Sequence, residues 1–260
     1  MQLPAEIRNM IYTHALRDDQ GINLVATFKH KRRATERVSE ATVTKLSGGY
    51  RIYSATRIND ELRAEEEEPK ALVPSLLAVS KQINHEARDI LYANDFIFAD
   101  SCTLYNFLLN IGPGGAKLLQ SIRIMSWGYG RTLKGYNHSC FAVLAWATGL
   151  KTLHLERTSG YASNPKSCAE QLYRDAFPWL EAVGMAKGKV DAAVDLLQLK
   201  TEHFESSYWD GTATRVVPGA ERIQTFRETL RDLLGAQQKR VMATPAKRRK
   251  VKKNAAKGEL

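Results

Sequence analysis

This sequence has no long apolar run: nothing in it approaches the roughly 20 consecutive apolar residues that span a bilayer, so no membrane partner is expected. Its opening, Met1-Gln2-Leu3-Pro4-Ala5-Glu6, lacks the basic region and apolar segment of a secretory signal. Cysteine is scarce. Cys102, Cys140 and Cys168 are an odd number, far apart, with no Cys-x-x-Cys pair. That pattern predicts reduced, packed thiols in cytosol or nucleus and excludes a disulfide framework.

The signatures of catalysis are missing as well. His85-Glu86 begins like a zinc-protease helix, but Asp89 stands where the second histidine is needed one turn on. Gly112-Pro113-Gly114-Gly115-Ala116-Lys117 lacks the glycine before the lysine and the Ser/Thr after it that a phosphate loop requires. No Gly-x-Ser-x-Gly elbow is present. These gaps point away from an enzyme, and no metal or cofactor is expected.

What is present is ordinary globular material: 260 residues, 43% hydrophobic and 25% charged, enough for one large domain or two small ones. The net charge of +10 is local. Residues 239–260 carry nine Lys and Arg against one acid, Glu259, and therefore hold +8, leaving +2 for residues 1–238. The folded part is nearly neutral, and the tail from residue 236, poor in large apolar groups, is expected to be disordered.

Along the chain, Leu3, Ile7, Met10, Ile11 and Ala15 fall on one helical face behind Pro4. Residues 17–70 read as a β-rich insert with charged loops. Its strand-like runs are 21–28, Ala41–Leu46 and Tyr50–Ser54, with a hairpin turn at Ser47-Gly48-Gly49. The basic run Lys29–Arg33 and the acidic run Glu65–Glu68 read as solvated loops. From Pro74, the stripe Leu76, Val79, Ile83, Ala87, Ile90 and Leu91 predicts one helix, and Phe96-Ile97-Phe98 a short strand. Asp100 or Ser101 caps the next helix, lined by Leu104, Phe107, Leu108 and Ile111 and stopped at Gly112-Pro113.

A pattern then repeats. Leu119-x-x-Ile122-x-Ile124, Leu150-x-x-Leu153-x-Leu155 and Val194-x-x-Leu197-x-Leu199 each follow a helix, at spacings of 31 and 44 residues. The helices between them end at Gly149 and begin at Asn164-Pro165; a last helix, Gly219 to Leu234, ends at Gly235. Such alternation favours α/β layers over a mostly parallel sheet, resembling an irregular leucine-rich-repeat array, with an ordinary α+β domain as the alternative. Residues 1–235 form one domain on this reading. His154, between Leu153 and Leu155, belongs to the strand face opposite the core.

Two stretches stand out as candidate contact sites. Trp127, Tyr129, Arg131 and Tyr136 crowd a glycine-rich segment, as interface anchors do; a loop folded back over the core is the equal alternative. Pro245-Ala246 leads into Lys247, Arg248, Arg249, Lys250, Lys252 and Lys253, which resembles a single-cluster nuclear localisation signal read by an import receptor. Salt-sensitive contact with nucleic-acid phosphates, or a solubilising role, are the other readings of the tail.

Leu3-Pro4-x-Glu6-Ile7-x-x-x-Ile11 resembles the opening of an F-box. With Leu76-Leu77-x-Val79-x-x-Gln82-Ile83-x-x-Glu86-Ala87 and the following Tyr92-x-x-Asn94-x-Phe96-x-Phe98, it is similar to a group of filamentous-fungal F-box-like proteins. The resemblance implies a non-enzymatic adaptor. Leu3, Pro4, Ile7 and Ile11 would dock on the Skp-type linker of an SCF ubiquitin ligase, and the α/β layers would hold a protein substrate, in the nucleus and also in the cytoplasm. Some 58 residues, largely strand-like, separate the two halves here, where a true F-box keeps its helices in one short module.

Overall fold

The computed structural model describes residues 3–29, 31–47, 68–127, 130–156, 164–209, 214–217 and 219–242. In chain order the elements are α1 (Ala5–Leu16), β1 (Ile22–Lys29), β2 (Arg32–Arg37), α2 (Glu40–Ser47), a 3₁₀ helix (Pro74–Ala78), α3 (Lys81–Tyr92) and β3 (Asp95–Phe98). There follow α4 (Ser101–Ala116), β4 (Ser121–Ile124), α5 (Gly130–Leu144), β5 (Thr152–Leu155), α6 (Pro165–Lys187), α7 (Ala192–Leu196) and β6 (Leu197–Leu199). A second 3₁₀ helix (Thr201–Phe204), the hairpin β7 (Ser206–Trp209) and β8 (Thr214–Val217), and α8 (Gly219–Met242) complete them.

The three repeated strings become β4, β5 and β6. Ile122, Ile124, Leu153, Leu155 and Leu197 are buried, while the residue between each apolar pair lies on the opposite face. Each such buried side chain contributes about 1.5–3 kcal/mol of transfer free energy. The strands join an α/β sheet of order β2-β1-β3-β4-β5-β6, parallel throughout except for β2, which pairs antiparallel to β1. Because each crossover steps to the next strand in the same direction, α4, α5, α6 and α8 stack as one layer, each packed on the next, over one main core.

Several boundaries differ from expectation. Ala41–Leu46 is helical, not a strand: the Ser39 hydroxyl accepts the Thr42 N–H at 3.2 Å, and the helix buries Val43 against Val25, Val38 and Ala99. Burial at helical spacing outweighs the β preference of Thr42 and Val43. This second, smaller core lies on the other sheet face, where Ile97 of β3 and Met125, just past β4, also pack against it. The described strands of the insert thus join the main sheet, and most of the basic run is strand and not loop: Lys29 ends β1, Arg32 and Arg33 open β2, and Lys31 stands before them at φ 61. Tyr50–Ser54, Gly48-Gly49 and Glu65–Glu67 lie outside the described residues.

The stripe from Leu76 to Leu91 is two elements, divided where Ser80 caps α3 by accepting the Ile83 N–H at 3.2 Å. Asp100 caps α4 as expected, and Gly112, at φ 66, breaks that helix before one further turn to Ala116. Asn164 caps α6 with Pro165 behind it. The helix before β5 stops at Leu144. Gly149 serves a close approach instead, since a Cβ there would meet the Lys117 carbonyl oxygen at 2.3 Å. Gly235 does not end α8, which runs to Met242. Its φ is not left-handed, and a helical glycine costs only about 1 kcal/mol. The rest of the basic tail is outside the described residues.

Candidate functional site

Helix α1 has two unlike faces. Tyr12 and Leu16 are buried, with Ala15, against Ala87, Leu76, Leu77, Ile83 and Ile90. Alongside them the Arg8 guanidinium forks onto the Glu86 carboxylate, donating at 2.9 and 3.0 Å, and the Tyr12 hydroxyl and the Gln82 amide each donate to it at 3.0 Å. The Arg8 bond first, and the Gln82 bond next, hold the Glu86 carboxyl down at about 2. His85-Glu86, which opened like a metal motif, is therefore part of a clamp between α1 and α3.

The end of α1 is fastened by Asn94, which is buried. Its side chain accepts the Asp18 N–H at 2.7 Å and donates to the carbonyls of Leu16 at 2.8 Å and Leu91 at 2.7 Å. Asp18 in turn pairs with Arg37 of β2, and the Val73 N–H bonds the Ala15 carbonyl at 2.9 Å. Held this way, the helix turns its remaining apolar stripe outward: Leu3 is 50% exposed, Ile7 43%, Met10 67% and Ile11 46%. Pro4, also exposed, is the N-cap residue, just ahead of the first turn. The residues expected to meet a partner are thus together on one open helical face, and the domain's own core does not use them.

The sheet face opposite the helix layer is a second surface, on which Ser121, Arg123, Thr152 and His154 are half-buried and Asp95 and Gln198 exposed. Across β4, β5 and β6 it presents Arg123, His154 and Gln198 in one row, with a hydroxyl pair, Ser121 and Thr152, beside it at 3.0 Å. Glu156, buried just past β5, takes Arg123 at 3.1 Å and Lys200 at 2.6 Å. Burial first, and Arg123 next, push the His154 imidazole below its ordinary value, against the opposing pull of Asp95 and Glu156. His154 lies where its alternation placed it. Arg123, Glu156 and Lys200 went unnoticed, although the positions between and just after the apolar residues of the repeated strings were the signal.

The aromatic segment is reorganised. Trp127 is 2% exposed and packs in the main core, which corrects its reading as a contact residue. Tyr129 is outside the described residues, and Arg131 lies in α5, whose backbone takes up most of the supposed loop. Tyr136, half-buried, accepts a 2.6 Å hydrogen bond from Arg33, whose guanidinium also sits 5.5 Å from its ring centre. It ties the β1–β2 hairpin to α5. Lys247, Arg248, Arg249, Lys250, Lys252 and Lys253 lie outside the described residues.

Buried polar groups elsewhere are structural. Ser101 donates to Asn137 at 2.7 Å and Asn137 to Asp175 at 3.3 Å, pinning α4, α5 and α6 together; Ser101 is fully buried and its partner is an amide, not a base. The thiols are free; burial pushes Cys102 up to about 11 and Cys168 up to about 12, away from thiolate chemistry. Among the described residues, no group of three His, Cys, Asp or Glu is placed to hold a metal, and no helix is long and apolar enough to cross a membrane.

No curated protein and no solved structure matches this chain. Residues 1–172, which take in α1, the clamp on α3 and the sheet through β5, match a family described as a domain of unknown function, DUF7730. That match covers most of the chain, and the protein belongs to the DUF7730 family.

Proposed function

We propose that this protein is a non-enzymatic adaptor that docks through the outer face of α1, in the manner of an F-box on the Skp-type linker of an SCF ligase. The observation that carries the reading is the exposed stripe Ile7, Met10 and Ile11 on a helix anchored by its other face, with exposed Leu3 just ahead of it. A helix that needed those residues for its own packing would bury them; large apolar side chains gathered on one exposed face mark an interaction site. On this reading the module is α1, the first 3₁₀ helix and α3, and the irregular layers behind it, built like a leucine-rich-repeat sheet, hold a protein substrate. The basic cluster from Lys247 to Lys253 delivers the adaptor to the nucleus through an import receptor. Contact between that cluster and nucleic acid is the second reading, favoured by the concentration of +8 in residues 239–260.

The test is co-purification of the intact protein with a Skp-type linker, beside an Ile7→Asp/Ile11→Asp variant verified as folded by circular dichroism. Capture by the intact chain and loss in the variant is the expected result. If the two behave alike, α1 is not the docking element.

A further inference from the structure

β2 is the end strand of the sheet, and an edge strand leaves the backbone groups of every second residue without a ladder partner. The ladder settles which. The Leu24 carbonyl accepts the Ala99 N–H on the β3 side, and the Asn23 carbonyl accepts the Val38 N–H on the β2 side. Alternation then gives Arg32, Ala34 and Glu36 to β1 and turns the N–H and C=O of Arg33 and Thr35 outward. Among the described residues nothing bonds those groups. At the far end of the strand Arg37 is held by Asp18 and by the Lys70 carbonyl, so the open stretch is Arg32 to Thr35.

The charge along it is one-sided. Lys31, Arg32 and Arg33 are exposed, and among the described residues none of them has a carboxylate partner; Arg33 donates to a neutral group, the Tyr136 hydroxyl. Glu36 is the one acid between residues 31 and 36, where three cations less one acid leave +2, and it is already engaged. Asp100, at the start of α4, is buried and turned to the N–H and hydroxyl of Thr103 at 2.7 and 2.8 Å. Register puts Arg33 on the helix-layer side, opposite Phe28, which is 52% exposed, and Arg32 on the other side.

We infer that the outer edge of β2 takes up an acidic, extended segment of a partner protein as an added strand. The segment's backbone pairs with Arg33 and Thr35, and its alternating carboxylates meet Arg33 on one side and Lys31 and Arg32 on the other. Cations on the edge repel a second copy of the same edge and leave it to a strand of opposite charge. Nucleic acid fits less well: phosphates accept hydrogen bonds but offer no row of N–H groups to the Arg33 and Thr35 carbonyls, and residues 1–238 together hold only +2. The inference deepens the adaptor reading by naming the class of its second partner, and rests on that reading for its biological purpose.

The full chain is mixed with a photo-crosslinking octapeptide of alternating glutamate and valine, with the same peptide N-methylated along its backbone, and with a photo-crosslinking oligothymidine; adducts are mapped by mass spectrometry. The expected result is octapeptide adducts on residues 31–36. Their yield should fall at least five-fold for the N-methylated peptide, and at least ten-fold in Lys31→Glu/Arg32→Glu, verified as folded by circular dichroism. The Ile7→Asp/Ile11→Asp variant should retain them in full, so a failure at α1 and a failure here are read separately. An absence of adducts on residues 31–36, adducts confined to residues 243–260, a yield indifferent to either change, or stronger labelling of the hairpin by oligothymidine would each overturn the inference.

Discussion

At the scale of single residues, two side chains on the connection between α1 and the sheet do more than their neighbours. Asn94 satisfies one backbone N–H and two carbonyls at a place where helix, turn and strand meet. Removing it takes the side-chain partner from the Asp18 N–H and the Leu16 carbonyl, at about 1–3 kcal/mol for each unsatisfied group, while the Leu91 carbonyl keeps the backbone N–H of residue 94. Asn94→Ala is therefore expected to lower stability by roughly 2 kcal/mol or more, read from the urea midpoint. Glu86 is the second. Its carboxyl is depressed to about 2, so its contribution is complete above the ordinary carboxylate range and is lost as pH falls from about 4.5 towards 2. Amide exchange in residues 5–16 should accelerate across that window in the intact protein. Arg8→Ala, which removes the largest cause of the depression, should move the change to higher pH.

At the scale of elements, α1 makes the sharpest contrast. Leu16 is fully buried, and Leu16→Ala should cost about 2–5 kcal/mol. Ile7→Asp/Ile11→Asp, on the exposed face, should shift stability by no more than roughly 1 kcal/mol, about 0.5 for each site; thermal melts of the two variants decide this. The same contrast explains what could be read beforehand. The stripe Leu3, Ile7, Met10, Ile11 and Ala15 was visible as a helical face, but periodicity does not say whether a face is buried or open, and Ala15 packs on the inner side. The burying face, Tyr12, Ala15 and Leu16, is carried by a tyrosine and two residues near the helix end. The strands of the repeated strings were legible because each offers two alternating apolar residues to one core. Ala41–Leu46 was not, because the helix is selected by Val43 reaching a core made from β1 and the turn after β3, contacts far away in sequence. Trp127 misled for a similar reason: its neighbours Gly128 and Gly130 suggested a loop, and its burial depends on helices that come later in the chain.

At the scale of the whole molecule, charge separates fold from tail. Residues 1–238 carry +2 and residues 239–260 carry +8, so binding to an arbitrary oligonucleotide should fall steeply with salt and disappear when residues 243–260 are deleted. Fluorescence anisotropy at two salt concentrations tests this, and residual affinity in the truncated protein would place a nucleic-acid surface on the fold itself. The sheet distributes its exposed ends in the same spirit. One edge, β2, carries Arg32, Arg33, Glu36 and Arg37, and at the other Arg227 donates to the Leu197 carbonyl of β6 at 3.4 Å. Charged edges of this kind discourage pairing with other sheets.

The pairing of β1 with β3 has a further consequence, for synthesis. Ile22 lies beside Phe96 and Leu24 beside Phe98, across more than seventy intervening residues. On the ribosome, β1 has no parallel neighbour until residue 98 has left the exit tunnel, and α1 has neither Glu86 nor Asn94 to hold it. Closure of so long a loop is slow compared with helix formation. Nascent chains shorter than about a hundred residues, at the rates of translation, therefore present the β3-facing edge of Ile22–Lys29, paired only with β2 on its other side, and the inner face of α1 unprotected. A nascent chain stalled before Phe98 should engage chaperones and resist protease poorly, and one stalled well beyond it should not.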